Sequence, residues 1–437
     1  MPNETVPGTE LEYYLIAFDA KGRERDVTSG PMRWRAMQAL RNRPITDVFL
    51  MCHGWMGDEF EARRRYNAWF EAMASCRADV AGMGQARAGF LPLWIALYWP
   101  SRPWGDADPD AGAAPAGPTA SESVEEVVQR CAAAIADTEE ARRALRTIVA
   151  AAGGSAPPRL PPEVVAAYHA LDRETGLGSG GEAAAPGDDR EPFDPERAYR
   201  QAREEEAAHP GDSASGGLLA PLRALSFGVM KGLARQFGEG TAHRFLGDLR
   251  HAVDAGRDVR FHLMGHGFGG IVTSAMLAGP RTAALDLQVD SLTLAQATMS
   301  LWSFGGEVPG ASGRAGYFRR ILDEHRVGGP IVTTRSDADR AAGRWHPWAA
   351  GAAPDDPAPG RWPRYGALGA CGARGPGVDA IDLPMPAGDG HVYGFRPGTV
   401  YNLDAGRFIA RGDGPRGAHA DIARPEVAHA VWEAARA

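Results

Sequence analysis

Cysteine is scarce in this chain: four residues in 437, at Cys52, Cys76, Cys131 and Cys371, with no Cys-x-x-Cys pair. Such scatter excludes a disulfide framework and a thiolate zinc site, and leads one to expect reduced thiols in a cytoplasmic protein. Positive charge is also short, 47 lysines and arginines against 55 aspartates and glutamates, for a formal net charge of -8. Without a basic stripe nothing neutralises a phosphate backbone, so no nucleic-acid partner is expected. No apolar run approaches the ~20 residues of a membrane span. The start, Met1-Pro-Asn-Glu-Thr-Val-Pro-Gly, has no basic region leading into an apolar one, so neither a transmembrane segment nor a secretion signal is expected. The histidines show no ligand spacing with one another or with cysteine; no metal and no cofactor are implied.

What the chain does have is alternation. Apolar, β-branched and aromatic runs predict strands at 11–18, 47–52, 92–99, 259–264, 291–297, 329–334 and 400–404, and helical patterns lie at 61–79, 268–277, 317–326 and 425–437. Alternating strands and helices predict an α/β fold with a mostly parallel sheet covered on both faces. From Trp104 to about Gly217 the alternation stops, and the composition turns to alanine, glycine, proline and acid. The economical division is an α/β core over 10–103 and 255–437, with a helical cap or lid over 104–254 jointed by flexible Gly/Pro-rich stretches at 153–158 and 176–186. Within 218–253, Leu219, Leu222, Leu225, Phe227, Met230, Leu233 and Phe237 are expected to form one apolar face over the mouth of a site. Residues 349–377, again Gly/Pro-rich, read as a surface excursion or a second lid element.

One run is more specific. Residues 261–270 read Phe-His-Leu-Met-Gly-His-Gly-Phe-Gly-Gly, an apolar strand turning at once into a helix through Gly265-His266-Gly267-Phe268-Gly269. It resembles the nucleophile elbow, Gly-x-Ser-x-Gly, of the α/β-hydrolase superfamily, the serine esterases and lipases among them, with Gly267 where the serine would stand. An elbow holds that residue at positive φ, which glycine tolerates better than serine does, so the replacement keeps the fold and deletes the Oγ. The letters also spell Gly265-x-Gly267-x-x-Gly270, the dinucleotide fingerprint. That reading needs an acid at the carboxyl end of the next strand, whereas Asp290 stands at its beginning and Gln296 and Ala297 at its end.

The resemblance implies an acid, a histidine and oxyanion donors in that superfamily's order. After the strand at 329–334, Ser336-Asp-Ala-Asp339 supplies Asp339 as the acid, with Asp337 as the alternative; either could instead cap the next turn. Ahead of the terminal helix, Gly417-Ala-His419 supplies the base, while His391 and His429 read as packing or solvent-facing residues. The backbone amide of Phe268 would be one oxyanion donor. His53-Gly54-Trp55-Met-Gly57, at the end of the second strand, resembles the His-Gly oxyanion loop of esterases and lipases, which makes the Trp55 amide the other. Gly265, His266, Gly269, His53 and Gly54 would support the elbow and this loop. Cys52 closes an apolar strand and reads as a buried structural thiol rather than a nucleophile; Trp94, Trp99 and Trp104 read as core and pocket wall.

The implied activity is hydrolysis of carboxylic, acyl esters by a Ser-His-Asp triad on an apolar small-molecule substrate, silenced here by glycine at position 267. Two origins are open: a serine-to-glycine replacement made at this position, favoured by the retained acid, base and oxyanion loop, or a natural pseudoenzyme that binds an apolar ligand or a protein partner.

Overall fold

Strand β3 (Asp47–Cys52) sends Val48, Leu50 and Cys52 into one apolar cluster and Phe49 and Met51 into another, because successive side chains of a strand point to opposite faces. In a computed structural model of the chain every residue of β3 is buried, so both faces of the sheet are covered. The structure describes residues 3–19, 21–25, 30–55, 59–101, 123–153, 156–179, 182–208, 217–254, 256–280, 287–311, 313–352, 362–388, 390–412 and 417–437. Met56, Gly57 and Trp104 lie outside these, as do parts of the stretches at 153–158, 176–186 and 349–377.

The fold is α/β with a nine-stranded sheet. Besides β3 it comprises β1 (Glu4–Thr5), β2 (Glu12–Ala17), β4 (Pro92–Tyr98), β5 (Arg260–His266), β6 (Ser291–Ala295), β7 (Ile331–Arg335), β8 (Ile381–Pro384) and β9 (Val400–Asp404). The order is β1-β2-β4-β3-β5-β6-β7-β9-β8, and each neighbouring pair is parallel except β1 with β2. From β3 the chain moves outward one way to β4, and from β5 the other way to β6 and β7. The order therefore reverses between β3 and β5, and the crevice beyond their carboxyl ends is where such sheets bind ligands.

Helices α1 (Met32–Asn42), α8 (Ala220–Phe237), α9 (His243–His251) and α10 (Gly269–Ala278) cover one face. The other carries α2 (Glu59–Ser75), α3 (Arg77–Ala86) and the terminal helix Pro425–Arg436. The pattern at 61–79 predicts a single helix; the chain breaks at Cys76, whose ψ of 66° leaves the helical region, giving α2 and α3. The pattern at 317–326 shrinks to one turn, Arg320–Asp323, closed by His325 at φ +50°. Strand β8 carries no sequence signal because it is a short edge strand, half exposed and ending in proline.

Helices α4 (Val124–Ile135), α5 (Glu139–Ala152), α6 (Pro162–Thr175) and α7 (Pro195–Ala208) precede α8. Ser123 and Glu126 close a reciprocal capping box on α4, Thr138 caps α5, and α6 stops on Gly176 at φ 65°. A separate apolar cluster joins α4, α5 and α6 to Leu219, Leu222 and Leu225. Phe227, Met230 and Leu249 instead pack into the sheet's own cluster. The expected single apolar face over 219–237 is thus corrected: α8 is a two-sided strut between the α4–α6 cluster and the sheet, and Leu233 is 43 % exposed.

Candidate functional site

The turn from β5 into α10 works only with small residues. A Cβ on Gly265 would strike the Gly269 carbonyl and, at 2.5 Å, Thr273 Oγ1; one on Gly269 would strike the Cys52 carbonyl. Between them Gly267 sits at φ +56°, in the left-handed region that an elbow requires of its central residue. A Cβ built on Gly267 would lie 2.8 Å from His419 Nε2 and 3.5 Å from Gly54 Cα. The imidazole therefore occupies the space next to the absent side chain, and a serine there requires the ring to withdraw slightly.

His419 is held from behind. Its Nδ1 lies 2.8 Å from Asp339 Oδ2, while Nε2 makes no hydrogen bond among the described residues. Asp339, 1 % exposed, divides its two oxygens: Oδ1 accepts the Ala342 amide at 3.0 Å, capping the next turn, and Oδ2 faces the histidine. Capping and orienting, alternatives in the sequence, coexist on one carboxylate. Asp337 is exposed and points to solvent. The loops bearing Asp339 and His419 are stitched by a bridge between Asp339 and Gly417 and by Ala418 N–H donating to the Ala338 carbonyl at 3.0 Å. Gly417, at φ +56°, admits this approach, since a Cβ there would collide with that same carbonyl.

Two positioning contacts carry no signal in the sequence pattern. Gln296 Nε2 donates to Asp339 Oδ2 at 2.8 Å and to the Gly369 carbonyl at 3.1 Å, and its Oε1 accepts from Thr334 Oγ1 at 2.9 Å. Gln296 stands at φ +46° just beyond β6, a strained backbone of the kind found at functional sites. His266, beside the elbow glycine, places Nε2 2.8 Å from the His419 carbonyl, and the two rings lie 4.7 Å apart.

Trp55 and Phe268 meet over Gly267's neighbours, rings stacked at 5.5 Å, with Phe227 of α8 set edge-on to both. Neither the Trp55 nor the Phe268 backbone amide donates a hydrogen bond among the described residues. Phe268 immediately precedes α10, so its amide belongs to the positive end of that helix.

His53 is a scaffold residue. Its Nδ1 lies 2.7 Å from the Gly54 carbonyl, its Nε2 accepts the Trp99 amide at 3.4 Å, and burial pushes the imidazole down to about 3. A neutral ring with Nδ1–H donating satisfies both contacts. Burial likewise pushes the Cys52 thiol well up, as befits an inert core cysteine, and Trp94 and Trp99 are core residues. His429 is buried against Asp79, and His391 lies exposed in its loop.

No family model, no curated protein and no solved structure matches this chain. The geometry therefore carries the functional argument alone. Among the described residues, no helix is long and apolar enough to cross a membrane.

Proposed function

We propose that the chain is an α/β-hydrolase scaffold of the serine carboxylic-ester hydrolase class, lacking its nucleophile at position 267. One observation carries this reading: the Nε2 of an aspartate-held histidine has no partner among the described residues and lies 2.8 Å from where residue 267 would place its Cβ. The order Gly267, Asp339, His419 along the chain, and the site's place at the crevice where the strand order reverses, support it.

With serine at 267, Oγ would attack an acyl carbon as His419 Nε2 takes its proton, and Asp339 would hold the imidazolium. The amides of Phe268 and Trp55 would receive the oxyanion. His419 would then return the proton to the leaving alkoxide, and water would release the acid by the same relay. In the chain as it stands no atom can make the attack.

The test is Gly267→Ser. It should raise hydrolysis of short acyl esters by on the order of 10³-fold or more, the scale of a nucleophile's contribution, and permit covalent labelling by a fluorophosphonate. A Gly267→Ser protein that folds yet neither hydrolyses nor labels sinks the enzyme reading. The second reading, a natural binding protein, is favoured by one feature: His419 already stands closer to Gly267 than a side chain at that position allows.

A further inference from the structure

Helix α8 carries a buried cation for which no described residue supplies a counter-charge. Arg223 is 6 % exposed, its Nε and Nη2 have no hydrogen-bond partner, and no carboxylate pairs with it among the described residues. The other buried cations are matched, Lys231 by Asp189, and Arg190 by Asp172 at 2.8 Å. Burial alone pushes the Arg223 guanidinium down to about 10. Its one aromatic contact, the Trp345 ring at 5.9 Å, is at the outer limit of a cation–π interaction and leaves the N–H groups unanswered. An unpaired buried charge is expensive to keep, so its retention asks for a counter-charge from outside the chain.

The position of Arg223 tells where that counter-charge would sit. Residues 223, 226, 227 and 230 share one face of α8 at helical spacing, and from it Phe227 reaches the rings of Trp55 and Phe268 at 5.6 and 4.9 Å. Arg223 lies one turn away, about 6 Å along the axis. On the same face Ser226 Oγ has no partner, and near Phe227 the Nε1 of Trp55 has none either, while no well-formed hydrogen bond reaches the His346 ring nitrogens. The His346 ring is 6.1 Å from that of Phe227. It also approaches the backbone of Thr298, whose amide donates to the Gly267 carbonyl at 3.2 Å. A guanidinium and a hydroxyl without partners on one face of α8, with the His346 imidazole set against the Thr298 backbone, make a donor set for an oxyanion.

We infer that Arg223, with Ser226 and His346, receives the anionic oxygen group, carboxylate or phosphate, of a small ligand whose other end lies over Gly267. This rests on the proposed site and refines its ligand: an acid-bearing acyl compound of short chain, in place of the apolar substrate expected from sequence.

The test is calorimetric titration of the protein with glycine retained at 267, using methyl hydrogen glutarate, dimethyl glutarate and inorganic phosphate. The half-ester should bind at least tenfold more tightly than the diester, and phosphate binding tighter than the half-ester would assign the oxyanion to a phosphate. Arg223→Met should erase the preference and, without ligand, melt at higher temperature because the buried charge is gone. Equal affinity for half-ester and diester, binding by none of the three, or a preference that survives Arg223→Met overturns the inference. Should Arg223→Met not fold, the half-ester and diester comparison on the unaltered protein decides by itself. No turnover is measured, so an inert Gly267→Ser protein would leave this result standing.

Discussion

Two histidine–aspartate pairs sit at opposite ends of the same sheet. At the carboxyl ends of the strands His419 meets Asp339 at 2.8 Å; toward the amino ends His262 of β5 meets Asp47 of β3 at 3.2 Å. The second pair even has a serine, with His262 Nδ1 2.9 Å from Ser291 Oγ. By residue type it is the more complete triad, yet both of its ring nitrogens are consumed and all three residues are no more than 2 % exposed. It is a cross-strand tie. The other pair leaves Nε2 unused and aims it at the gap above Gly267. What separates the two pairs is place, not the letters present: one is sealed among the strands, the other stands at their carboxyl ends beside Gly267.

The contrast can be broken by mutation. In a Gly267→Ser background, His419→Ala should cost about 10³-fold or more in turnover and less stability than His262→Ala, because Gln296 and the Ala342 amide still answer Asp339, as read by ester hydrolysis and calorimetry. Loss of stability without loss of turnover would erase the distinction drawn between the pairs.

His262→Ala should do the opposite. Burial favours the neutral acid at Asp47, but His262, Thr46 and Arg87 outweigh it and hold the carboxyl low, so removing His262 strands a buried charge. A loss of about 3–5 kcal/mol in urea denaturation is expected, with turnover per folded molecule in the Gly267→Ser background unchanged.

Proton linkage tests the loop that follows β3. The folded pKa of His53, about 3, lies below its ordinary value of 6.5. The unfolded chain therefore binds the proton first as pH falls, so His53's contribution is complete above about pH 6.5 and is lost between there and pH 3, at up to about 1.4 kcal/mol per unit. Denaturation series from pH 7 to 4 should show this slope in the unaltered protein and a shallower one in His53→Gln; equal slopes would show that the ring is not held neutral by the fold.

Much of this layout is legible in the sequence because its determinants are local. The strand at 47–52 and the β5-to-α10 turn follow from runs of apolar residues and from Gly265 and Gly269, where any Cβ would strike backbone. Asp339 and His419 are found because each lies on a loop next to a strong element boundary. Gln296 is not, since its role depends on Asp339, Thr334 and Gly369 arriving from three separate parts of the chain. Likewise no periodicity shows that Leu222 faces α4, α5 and α6 while Phe227, five residues on, faces the sheet.

By itself, then, the sequence determined the alternation of elements and the glycine turn centred on Gly267, both set by steric rules acting over a few residues. Tertiary structure alone decided which histidine faces Gly267, which carboxylate meets it, and which buried cation goes unpaired among the described residues. Those outcomes depend on hydrogen-bond and charge accounting between segments up to hundreds of residues apart, and no local pattern records that accounting.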